Sequence, residues 1–148
     1  MHLPEIPAYQ RQHGFYQIER LDPLLRLTIA EGMNKELIAQ YQADMARHIE
    51  QLSNQLWGLH LIIHGDVLMP PDAYEALIEV TRNHKRLGRC ATAVKLINPS
   101  AVGMLKAFWS HIYQSAEIPY LFCDDDAEAE EWLYAQIACE QQRRRMAG

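Results

Sequence analysis

The sequence predicts an α/β domain: a five-stranded, mostly parallel sheet with a leading β-hairpin, in the order β-β-α-β-α-β-α-β-α. Three observations carry this. The stretch Gly58–Asp66 sets four aliphatic residues between a glycine and a Gly-Asp pair, too short for a helix and bounded by turn residues, so it reads as an inner strand. Long helical patterns lie on both sides of it. Upstream, Asp22-Pro23 separates two short alternating segments, the signature of a hairpin.

Taken in order, residues 1–13 carry two prolines and no period, and read as a loose arm. Phe15–Leu21 and Leu24–Ala30 form the hairpin. In the second strand Leu25, Leu27 and Ile29 share one face and Arg26 and Thr28 the other, which implies a sheet with one face buried and one partly wet. Asn34 is placed to cap a helix from about Lys35 to Trp57, with Leu37, Ile38, Tyr41, Met45, Ile49, Leu52 and Leu56 on one stripe and Gly58 as its stop. After the central strand, Pro70-Pro71-Asp72 opens a helix that ends at His84-Lys85-Arg86-Leu87-Gly88, cations followed by glycine. Cys90–Ile97 is the next strand, and Asn98-Pro99-Ser100 caps a helix over about 101–116. Pro119–Cys123 is the last strand. Asp124-Asp125-Asp126 opens the final helix, with Trp132, Leu133 and Ile137 facing inward. Residues 14–139 thus make one domain, followed by a basic tail, 140–148, that holds Arg143-Arg144-Arg145.

Composition narrows the function classes. The chain has 148 residues, enough for one real core without staples, and its net charge of -5 argues against a dedicated nucleic-acid binder. Cys90, Cys123 and Cys139 are odd in number and widely spaced, which excludes finger-type zinc spacing and suits a reduced cytoplasmic setting. The start lacks a secretory pattern, and no apolar run is long enough to span a bilayer.

Each chemistry-bearing group has an ordinary explanation beside the functional one. His60 and His64 point to the same face of the central strand but stand roughly 13 Å apart, too far to share one metal ion. His64 and Asp66, at the strand's carboxyl end, lie where open α/β sheets place ligands. The aspartates at 124–126 are consecutive and open a helix, which capping and dipole complementarity explain. No dinucleotide, phosphate-loop, nucleophile-elbow or zinc-protease motif is present, so neither a cofactor nor a metal is expected.

The leading hairpin, Gly32-Met33 with Glu36 after the second strand, Gly65-Asp66 after the third, and Phe122 with Ala129, Trp132 and Leu133 at the end resemble the SpoIIAA-like branch of the STAS superfamily, the sporulation anti-sigma-factor antagonists. The match spans about residues 14–137. The resemblance implies a right-handed β-α superhelix and a regulatory, non-catalytic module that binds a protein partner or a small ligand. The antagonists carry a phosphorylated Asp-Ser-Ser-Gly-like motif where this chain has Pro70-Pro71-Asp72-Ala73, without a hydroxyl.

The expected binding surface is therefore the set of loops at the carboxyl ends of the strands, with Asn34, His64, Asp66, Met69, Asp72, Ser100 and Asp124. The alternative is a small enzyme or carrier with a cleft at the same loops, using His64, Asp66 and Asp124 as acid-base groups. A sheet face carrying Arg26, Thr28, His60, Ile62 and His64 would need a cover, so the arm or a second copy in a homodimer is expected to supply it.

Overall fold

The computed structural model describes residues 15–52 and 54–148. The arm expected over residues 1–13 lies outside the described residues. Five strands, β1 (Phe15–Leu21), β2 (Leu24–Ala30), β3 (Trp57–His64), β4 (Arg89–Ile97) and β5 (Tyr120–Cys123), alternate after the hairpin with α1 (Lys35–Gln51), α2 (Pro71–Arg86), α3 (Val102–Ala116) and α4 (Asp126–Ala147). The sheet order is β1-β2-β3-β4-β5, with β1 antiparallel to β2 and the others parallel. The α/β class, the hairpin, the element order and the parallel neighbours all agree with the sequence reading.

Connection handedness decides where the helices go. α1, α2 and α3 are crossovers between successive parallel strands that step in one direction, and right-handed crossovers stacked this way put all three on one face. There they bury Leu25, Leu27, Ile29, Leu59, Leu61 and Ile63 of the sheet against Ile38, Tyr41, Met45, Ile78, Trp109 and Tyr113. α4 follows the last strand, has no strand to return to, and packs on the opposite face. Its Ala129, Leu133 and Ile137 meet Leu24, Ala91, Ala93 and Cys123 in a second, smaller cluster. The face expected to need an arm or a second copy is thus covered by α4 over its amino half.

Two boundaries differ from expectation, both through packing between distant elements. α1 ends at Gln51 rather than near Trp57. Trp57 instead opens β3: its backbone N–H donates to Gly88 O at 2.9 Å and its indole Nε1 to Leu87 O at 3.1 Å. Those bonds to the start of β4 outweigh one more helical turn. Gly58, expected as a helix stop, lies inside β3, where Leu133 of α4 rests on it: a Cβ there would come within 3.0 Å of Leu133 Cδ2. The absence of a side chain is what lets α4 approach. The basic run Arg143–Arg145 sits in the last turns of α4, where Arg144 Nε reaches Glu140 Oε2 at 2.9 Å and Arg143 also pairs with Glu140.

Candidate functional site

The carboxyl ends of β2, β3 and β4 bring three loops together. Gly32 takes a positive φ of 87°, and a Cβ on it would meet Leu68 O at 3.3 Å, so the loop after β2 lies against the loop after β3. The loop after β3 is in turn tied to the loop after β4 by one carboxylate. Asp66 Oδ1 accepts from Ser100 N at 2.9 Å and Ala101 N at 3.4 Å, while Oδ2 accepts from the Ser100 hydroxyl. The residue at the cap of α3 is Ala101, which has no capping side chain. Asp66 therefore satisfies that helix end from a neighbouring loop, a role usually filled within the same segment. The Ser100 hydroxyl and then its backbone N–H hold the Asp66 carboxyl below the ordinary carboxylate range. Sequence spacing cannot show such a link, since 34 residues separate its ends.

The other expected site residues are placed as follows. Asn34 caps α1, accepting from Leu37 N at 2.8 Å. Replacing it with alanine should cost about 1 kcal/mol of stability, read from urea titration, because one end N–H loses its acceptor. Met69 is half-buried against the main core. Asp72 accepts from the N–H of Ala73 at 2.8 Å in the first turn of α2. Asp124 is exposed; its backbone N–H donates to Glu128 Oε1 at 3.0 Å, while Asp125 caps α4 by accepting from Glu128 N at 2.7 Å. His64 is half-buried, its Nε2 has no hydrogen-bond partner among the described residues, and burial lowers its pKa. Asp66 and Ser100 are thus in contact, whereas Asp124 belongs to a different part of the edge. β4 lies between β3 and β5, which alone separates their ends by roughly 10 Å. β5 also stops level with Lys95, two residues short of Ile97, the residue level with His64.

A second polar group lies under α4 and was not gathered from sequence. Arg26 of β2 reaches Glu130 of α4 at 3.3 Å and Glu19 of β1 at 3.5 Å. Lys95 of β4 reaches Asp126 at 3.2 Å. Between them His60 of β3 is 1% exposed, and neither ring nitrogen has a hydrogen-bond partner among the described residues. Burial pushes its pKa down to about 4; the Asp126 carboxylate, 3.6 Å from Nε2, opposes this, while Arg26 and Lys95 add to it. The imidazole is therefore neutral at physiological pH, and its approach to Asp126 is not an ion pair. The alternation of Arg26, Thr28, His60 and His64 with aliphatics marks this face as mixed. Lys95 and the acidic residues of α4 join it only once the last helix docks.

Three larger clefts are lined by none of His64, Asp66 and Asp124. One of about 580 Å³ runs between Ile49, Asn54, Leu56, Arg86 and Arg144 at the amino ends of the strands. Another, of about 370 Å³, adjoins it against Lys85, Cys90, Cys139 and Arg143. A third, of about 410 Å³, lies along Asn34, Glu36, Leu37 and Gln40. Among the described residues no group of three or more His, Cys, Asp or Glu side chains is placed to hold a metal ion, and no helix is long and apolar enough to cross a membrane. Comparison with known proteins finds no family model that matches the chain and no matching curated protein.

Proposed function

We propose that this chain is a STAS-like, non-catalytic module that docks a protein partner on the surface formed by the loops at the carboxyl ends of β2, β3 and β4. The Asp66–Ser100 link carries this reading. It fastens two loops into one platform, and large apolar side chains flank it: Leu68 is 40% exposed, Val102 43% and Met104 52%. Leu68 lies on the loop after β3 and Val102 and Met104 in the first turn of α3, and exposed apolar side chains carried by a rigid scaffold suit recognition of a protein surface. The side chains of Asn34, Asp66 and Asp72 already serve backbone N–H groups, which leaves them poorly suited to acid-base work. A cleft enzyme using His64, Asp66 and Asp124 has less support, since none of the three clefts above brings those residues together.

The test is affinity capture from the source cells with the wild-type chain and with a Leu68→Asp, Met104→Asp variant. Both positions are exposed, so the variant should fold with unchanged thermal stability. A protein retained by the wild type and lost by the variant is the expected result. Equal retention by a normally folded variant would place the contact elsewhere and overturn the reading.

A further inference from the structure

The main core contains a cation that has no carboxylate partner among the described residues. Arg89 opens β4, and in regular alternation it would share the face of Ala91 and Ala93, toward α4. The register prevents this: Trp57 stands opposite Arg89, yet Gly58 stands opposite Ala91, so Cys90 is an extra residue in a bulge. The bulge turns Arg89 to the other face, among the residues packed beneath α1, α2 and α3. Its side chain is 4% exposed, and its Nε and Nη2 donate to Thr92 Oγ1 at 3.1 and 2.6 Å. Among the described residues no carboxylate lies within 4.0 Å of it. A buried guanidinium without a counter-charge is strongly unfavourable, so the fold must offset it locally.

The surroundings combine aliphatic side chains, Leu27, Ile29, Leu59 and Leu61 among them, with several donor-bearing residues. Arg89 lines a cavity of about 20 Å³ together with Tyr41, Thr81, Trp109 and Tyr113. Trp109 is 1% exposed, and its indole N–H has no acceptor among the described residues. The Thr81 hydroxyl donates to Leu77 O at 2.8 Å. Tyr41 and Tyr113 are buried phenols whose pKa burial raises, with the Arg89 charge opposing, so both keep their protons. The residues that carry a guanidinium, an orphaned indole N–H and two phenolic hydroxyls thus line the same small space. Its volume suits one water-sized or halide-sized species and is too small for a phosphate or an organic acid.

We propose that this cavity is a binding site for a single halide-sized monovalent anion, with Arg89 as its counter-charge and Trp109, Tyr41 and Tyr113 as donors. The anion neutralises the buried cation and gives the indole N–H an acceptor. Its binding couples to stability because only the folded chain assembles the site.

Two measurements on the full chain test this. Crystals soaked in bromide should show an anomalous peak in the cavity beside Arg89. The urea midpoint should rise saturably as potassium chloride replaces potassium gluconate at constant ionic strength. That rise should fall by at least half in Trp109→Phe, which keeps the aromatic ring and removes the N–H. Arg89→Met should abolish it; if that variant does not fold, Trp109→Phe and the bromide crystals still decide. Water alone in the cavity, or equal midpoints in chloride and gluconate for the wild type, would overturn the proposal.

Discussion

Acidification from pH 7 to pH 4 is expected to remove about 6 kcal/mol of folding stability, with His60 and His84 as the main cause. Burial pushes His84 down to about 3, assisted by the nearby Arg89 charge, and His60 to about 4. An unfolded histidine titrates near 6.5, so below that pH the unfolded chain takes up protons that the folded chain refuses. Stability is therefore full above about pH 6.5 and falls as the pH drops through the window down to the folded values. While both groups lie inside that window the slope is about twice the single-group value. Asp66 and Glu140, held low by hydrogen bonds, act in the same direction only in the acid range of carboxylates. A total stability at the low end of the usual range, about 5 kcal/mol, does not survive such a loss.

His84 separates this account from general acid sensitivity. Its ring packs on Tyr41 and Trp57 at centroid distances of 5.9 and 5.8 Å, and its Nδ1 has no hydrogen-bond partner among the described residues. His84→Phe keeps the aromatic packing and removes the group that must be protonated on unfolding. Urea titrations at pH 7.0, 5.5 and 4.5 should show a wild-type loss about twice that of the variant in the same interval. Equal slopes for the two proteins would show that His84 is not held neutral by its surroundings.

The sequence was most legible where one element decides its own conformation. Alternation in Leu24–Ala30, the aliphatic run after Gly58 and the Asn34 cap each announced a local structure that the chain adopts. It was least legible where a distant element decides. The apolar stripe of α1 continues through Leu52 and Leu56, and nothing nearby says that Trp57 will pair with Gly88 instead of extending the helix. The same holds for the site. Asp66 and Ser100 could be placed at neighbouring strand ends, but their bond depends on β3 and β4 being adjacent. His60 read as one half of an unlikely metal pair because the groups that enclose it, Lys95 and Asp126, come from β4 and α4. The turn of Arg89 into the core depends on a single extra residue, which hydrophobic periodicity does not report.

Docking of α4 gives the second large effect, and Leu133 is the residue that carries it. Trp132 was expected to face inward, but it is only half-buried at the margin of the smaller cluster, whereas Leu133 is fully buried at its centre. Leu133→Ala is therefore expected to cost about 3–5 kcal/mol, the range for a large-to-small change that leaves a cavity in a packed core. Trp132→Ala should cost less, because part of its ring already faces water. The close approach to Gly58 allows a sharper check. Gly58→Ala alone places a methyl 3.0 Å from Leu133 Cδ2 and 3.3 Å from Leu24 Cδ2, so α4 or β2 must shift and stability falls. With Leu133 already cut back to alanine, the same methyl enters the vacated space and its cost should shrink. The two substitutions should then couple by about 1 kcal/mol or more in a double-mutant cycle measured by urea denaturation. Strict additivity would mean that Leu133 does not rest on Gly58, and that α4 reaches the sheet by another surface.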